Sequence, residues 1–210
     1  MFQQQLAGKK FVVVLLSFFC LLSTVGGAAA VSPEPMAQIK TSVDEILRIV
    51  RESKADSKSV ISDVKRQRIM DVVYDRFDFR AMSQLAMARN WKAITAKEQD
   101  RFVTLFAKVL ENTYYDRINS YSGEVILFKE QELKDDKAVV SSVVVKNNTE
   151  TPVVYRLRSV GGKWMVYDVI IEGVSLVRNY RTQFDSIIEK EKYDGLIRRL
   201  EEKIAKKETN

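Results

Sequence analysis

The 210-residue sequence has no histidine, one cysteine and three prolines. That cysteine, Cys20, falls in a leader that is set aside below, so the rest of the chain carries neither imidazole nor thiol. The ordinary zinc sites are thereby excluded, as are Ser-His-Asp and Cys-His catalysis. Neither G-x-x-x-x-G-K-[ST] nor G-x-G-x-x-G occurs, so no nucleotide is expected and no cofactor. Beyond the leader no apolar run reaches about 18 residues, and a soluble domain is expected. Acids and bases alternate along the chain instead of gathering Lys and Arg on one face, which argues against nucleic acid as a partner.

What is present begins with the leader. Lys9-Lys10 form a basic start, residues 11–22 are apolar but for Ser17, and Ala28-Ala29-Ala30 follow Gly26-Gly27. This is the pattern of a secretory signal peptide over residues 1–30, cleaved near Ala30. The run is shorter than the roughly 20 residues a membrane span needs. Cys20 lies inside the run behind Phe18-Phe19, unlike a lipidated cysteine, and cleavage removes it. Removing Lys9 and Lys10 lowers the formal net charge from +6 to +4. Residues 31–210 are expected to form a single domain, long enough for a core without disulfides.

Periodicity divides that domain. Residues 36–51 place Ile39, Val43, Ile46, Leu47 and Val50 at helical spacing, and residues 57–76 repeat the pattern. Asp78 is the expected cap of a helix over residues 79–90. Thr95 and Glu98 form a capping box that opens a helix to about residue 119. Four strands follow, at residues 124–133, 138–146, 152–160 and 164–171, joined by Asp135-Asp136, by residues 147–150 and by Gly161-Gly162. Glu172-Gly173 marks a corner, and two helices close the chain at residues 174–190 and 193–206. The fold class is α+β: a four-stranded antiparallel meander with helices before and after it.

Two strands are apolar on both faces. Val139-Val140 and Val143-Val144-Val145 break the alternation expected of a sheet with one wet face, and so does residues 164–171 apart from Asp168. Both faces of the sheet are therefore expected to be covered, either by helices or around an apolar cavity. Asp168 needs donors or a cation if buried. Arg178, Arg181 or the amides of the following turn can serve, and Asp168 with Arg181 is the expected polar brace of the corner. Ser175 is a candidate cap for the next helix. An acid–base pair of Asp168 and Glu172 lacks a nucleophile beside it.

The run Trp164-x-Val166-Tyr167-Asp168-Val169-x-x-Glu172-Gly173-Val174-Ser175-Leu176-Val177, followed by Asn179-Tyr180-Arg181 and Gln183-Phe184, resembles the MlaC (toluene-tolerance) family. Phe79 through Trp91 and Thr95-x-x-Glu98-Gln99 with Phe102 and Phe106 share the likeness. The chain departs from it at Ala86-Met87, where the family often has Leu-Gly, and at Lys192, where it often has Gly. The resemblance implies a sheet packed by helices around a deep apolar pocket, in outline like a nuclear-transport-factor (NTF2-like) fold. It implies a monomeric periplasmic carrier without enzymatic activity that buries phospholipid acyl chains. Its implied partners are an outer-membrane lipoprotein complex and an inner-membrane ABC transporter with a substrate-binding ring. The lipid-contacting wall is then expected from Leu85, Phe102, Phe106, Val109 and Tyr114 on the helices. The strands add Val143, Val145, Tyr155, Leu157, Val166, Val169 and Ile171, and the corner adds Val174 and Val177. A hopanoid or other apolar lipid is an alternative ligand. A chaperone-like protein with a filled interior is an alternative function.

Overall fold

The first four amides of a helix have no internal partner, so proline is well tolerated at its first position. Pro35 opens α1 (Pro35–Glu52) in this way. The computed structural model describes residues 34–52 and 59–208. The expected leader, and residues 57–58 at the expected start of the second helix, lie outside the described residues.

Helix α2 (Ser59–Arg76) packs on α1 in the antiparallel sense, with Arg68 meeting Glu52 at the end of α1 and Arg76 meeting Ser42 and Gln38 near its start. Helix α3 (Phe79–Met87) is capped by Asp78, whose carboxylate accepts the Ala81 amide at 2.8 Å. It stops earlier than the spacing predicts because Ala88 turns to φ 47°, and a 3₁₀ turn over Ala88–Ala93 then buries Trp91. Helix α4 (Ala96–Asn119) opens with the full capping box of Thr95 and Glu98.

The sheet is an antiparallel meander in the order β1-β2-β3-β4-β5. Its strands are β1 (Val125–Lys134), β2 (Lys137–Lys146), β3 (Thr149–Val160), β4 (Lys163–Ile171) and β5 (Val174–Ser175). The fifth strand corrects the four-stranded expectation. Glu172 and Gly173 take φ 51° and 81°, and two successive positive φ values make the tight turn that folds β5 back onto β4.

A bulge in β4 decides which side chains face inward. Leu157 pairs with Val166 and Arg156 with Asp168, leaving Tyr167 unmatched. The extra residue shifts the alternation, so Trp164 and Val166 share a face with Val169 and Ile171. That face also carries Ala138, Val140 and Ser142 of β2, and Val153, Tyr155 and Leu157 of β3. The opposite face is not buried as the doubly apolar strands suggested. Val139, Val143, Val145 and Val154 there are only half-buried, and Val125 and Leu127 on β1 are exposed.

The stretch α5 (Leu176–Glu208) consists of two helical segments, as expected, that meet at a break at Lys192 (φ 62°, ψ −174°). Three residues on, Gly195 is buried so close to Glu191 that a Cβ would lie 2.2 Å from the Glu191 Cβ. The break thus rests on a left-handed lysine followed by a glycine that no larger residue can replace without a shift.

Candidate functional site

The interior has two unlike parts. Beneath α3, α4 and α5 lies a closely packed aromatic cluster, with a groove of about 340 Å³ at its α4–α5 edge lined by Val109, Tyr180, Phe184, Leu196 and Leu200 and by polar side chains of α5. Phe102 and Phe106, both 0% exposed, meet Phe184 edge-on at 5.5 and 5.3 Å, and Phe106 meets Tyr180 at 5.0 Å. Between the sheet, α1, α2 and the second half of α4 lies a cavity of about 400 Å³. Its size falls in the range of small-molecule sites, and its wall is almost wholly apolar.

Each element contributes side chains by its own period. Helix α1 offers Ile39, Val43, Ile46 and Leu47; α2 offers Met70, Val72 and Val73; α4 offers Leu110, Tyr114, Tyr115 and Ile118. The sheet supplies Ile126, Val144, Val153, Tyr155, Val169 and Ile171. Most of these are β-branched. Such side chains are short and stiff at χ1 and cannot swing across to close the gap.

Several polar groups on the wall are engaged with one another. Arg76 donates from Nε to Ser42 Oγ at 3.0 Å and from Nη1 to the Trp164 carbonyl at 3.0 Å and to Gln38. It thereby ties α1, α2 and β4 together at one end of the cavity. Burial lowers its guanidinium below the ordinary value, while Asp75 pulls the other way. Glu111 accepts from Arg66 at 2.7 Å and from Lys108 at 3.2 Å. Burial pushes the phenols of Tyr114, Tyr115 and Tyr155 above the ordinary tyrosine value, so they stay neutral near pH 7. Tyr115 is 6% exposed, and its hydroxyl has no hydrogen-bond partner among the described residues.

Asp168 braces the corner, but not through Arg181. Its Oδ2 accepts from Ser175 Oγ at 2.7 Å and its Oδ1 from the Val177 amide at 3.1 Å. Arg156 lies 3.6 Å away, across the β3–β4 register. Ser175 Oγ also accepts from the Arg178 amide at 3.1 Å and so caps α5. Arg181 points along the helix to Asp185, one turn on, at 3.8 Å. With Asp168 at 3% exposure and its oxygens engaged, and Glu172 exposed, the two do not form a cleft. Among the described residues no cluster of His, Cys, Asp and Glu could hold a metal ion.

Of the residues expected to line a pocket, Tyr114, Tyr155, Val169 and Ile171 are on the cavity wall. Phe102, Phe106, Val109 and Val177 are buried in the aromatic cluster, because that side of α4 faces α5. Leu157 and Val166 are buried together with Trp164 at the filled end of the sheet. Val143 and Val145 fall on the outer face by parity with Val140 and Ser142. Val174 is 60% and Leu85 45% exposed. The wall residues of α1 and α2 were visible as apolar stripes. No signal in the sequence separates a stripe that meets a cavity from one that meets another side chain.

A five-stranded antiparallel sheet whose helices close over an apolar cavity defines an α+β domain built to enclose a greasy ligand. None of its described helices is long and apolar enough to cross a membrane. The chain belongs to the MlaC family, whose model, described as MlaC protein, matches residues 40–202. It is 29% identical over 181 residues to the toluene tolerance protein ttg2D of Pseudomonas putida, covering 84% of this chain and 80% of that one. It is 25% identical over 118 residues to the intermembrane phospholipid transport system binding protein MlaC of Haemophilus influenzae. That alignment covers 53% of this chain and spans 55% of the Haemophilus protein. The fold is similar to that of a phospholipid-binding protein from Ralstonia solanacearum solved in complex with a phospholipid. The TM-score is 0.71 at 27% identity, over 82% of this chain and 97% of that one.

Proposed function

We propose that this protein is a periplasmic phospholipid carrier, exported by its signal peptide and acting between the outer and inner membranes. The observation that carries the reading is the apolar cavity of about 400 Å³ in a chain of this family. Acyl chains enter between the sheet and α1, α2 and α4. Each buried methylene contributes about 0.8 kcal/mol, so ten of them hold a lipid by about 8 kcal/mol before ordering costs. The mechanism has no chemical step. The carrier binds, diffuses and releases to a partner of higher affinity. Direction then comes from a partner with an ATP supply, the inner-membrane ABC transporter, with an outer-membrane lipoprotein complex at the other end. Residues 31–210 act as one lipid-binding domain with an outline like the nuclear-transport-factor fold. The filled interior of the chaperone-like alternative does not suit a hollow this size.

Transfer between vesicles tests the reading. Fluorescent phospholipid in donor vesicles should move to acceptor vesicles faster when the protein is added, without nucleotide. A rate that does not change with protein concentration would count against it.

A further inference from the structure

The cavity has a charged rim. Arg117 stands on its wall yet is exposed, so the wall reaches solvent there. Its guanidinium lies 5.7 Å from the centre of the Tyr114 ring. Arg51, also exposed, donates to the Tyr121 hydroxyl at 3.1 Å and sits 5.6 Å over that ring. Tyr114 and Tyr121 both line the cavity. Stacking on a ring positions a guanidinium but leaves its charge uncompensated. The acids nearest in sequence are engaged elsewhere: Glu52 with Arg48, Asp116 with Lys207 and Glu124 with Lys146. Among the described residues, no carboxylate forms an ion pair with Arg51 or Arg117. Both residues occupy the last turn of their helix, where a cation gains a few tenths of a kcal/mol from the helix dipole. That placement explains their stability there. It does not supply an anion.

We infer that Arg51 and Arg117 receive the phosphodiester of a lipid whose tails fill the cavity, and so select phosphate-bearing lipids over neutral ones. Guanidinium groups match phosphate oxygens in geometry and bind them with charge-assisted hydrogen bonds. A neutral lipid of the same chain length fills the cavity equally well but leaves both cations without a partner. The inference rests on the carrier reading and adds the choice of head group to it.

The test compares dioleoylphosphatidylglycerol with dioleoylglycerol, which has the same tails and no phosphate, retained after equal incubation and quantified by organic extraction. The unaltered protein should favour the phospholipid, and the double substitution R51Q with R117Q should lower that preference about tenfold. R51K with R117K keeps the charge and should keep most of the preference. Equal retention of the two lipids by the unaltered protein overturns the inference and leaves an apolar carrier standing. Retention of neither overturns the carrier reading and this inference with it. Inorganic phosphate should displace the phospholipid no better than chloride at equal ionic strength. Specific displacement would assign the pair to free phosphate instead of a lipid head group.

Discussion

Helix α4 passes through two interiors, and its two halves meet different neighbours. The first half turns Phe102 and Phe106 into an aromatic cluster with Tyr180 and Phe184, whose ring centres lie 5.0–5.7 Å apart. The second half turns Leu110, Tyr114 and Ile118 toward α1, α2 and the sheet, where the space stays open. Both halves obey the same helical period, so periodicity is not what separates solid from hollow. The difference lies in the reach of the opposing side chains. Large rings on α5 extend to meet α4, whereas the valines and isoleucines of α1, α2 and the strands stop short. A filled half gives the domain stability, which lets the other half remain empty for a ligand. Domains are stable by only about 5–15 kcal/mol, so a cavity must be offset elsewhere.

Substitutions in the two halves should therefore diverge. The largest effect is expected at Phe106→Ala. Removing a fully buried ring with three aromatic partners should cost about 3–5 kcal/mol in denaturant unfolding. Ile171→Ala, on the cavity wall, should cost less than half of that, because its side chain already borders open space. Equal losses would erase the distinction between the halves. A sharper contrast lies within one strand. Val166 is 0% exposed among Leu157 and Trp164, so Val166→Trp should overpack and destabilise by about 1–3 kcal/mol or more. Val169→Trp projects into the cavity, should shift stability by less than about 1 kcal/mol, and should reduce lipid retention about tenfold or more. Thermal unfolding with lipid extraction reads both properties on each variant.

The smallest effect concerns pH. Glu124, just before β1, accepts from Lys146 at the end of β2 and from the Ser122 amide, and these hold its carboxyl down at about 2. A depressed carboxylate contributes stability above its ordinary value of 4.5, and that contribution is lost as pH falls toward 2. Glu124→Gln should flatten the acid limb of the stability profile between these values and leave it unchanged near pH 7. An unaltered acid limb in the variant would show that the tie contributes nothing.

Local features were the readable ones. The Thr95–Glu98 box, the Asp78 cap and the turns at Asn147-Asn148 and Gly161-Gly162 are encoded by neighbours in sequence, and the structure has them all. Strand β5 was missed because two residues carry no period, and only their pairing with Ile170 and Ile171 makes them a strand. The bulge at Tyr167 depends on the register against β3, which β4 alone does not reveal. Val166 and Val169 were both expected to contact lipid, and the bulge puts them on one face, yet only Val169 borders the cavity, because Leu157 and Trp164 fill the space beside Val166. Arg181 was read as the partner of Asp168 by proximity in sequence. The corner instead satisfies that carboxylate with Ser175, the Val177 amide and Arg156. A cavity is the space several elements leave between them, and no single stretch of sequence encodes it.

The central claim is that the hollow half holds phospholipid tails. Native mass spectrometry of the freshly purified protein, paired with organic extraction of the same sample, tests it most directly. A species heavier than the chain by the mass of a phospholipid is expected, with the same lipid in the extract. The unliganded mass alone, with a lipid-free extract, would contradict it.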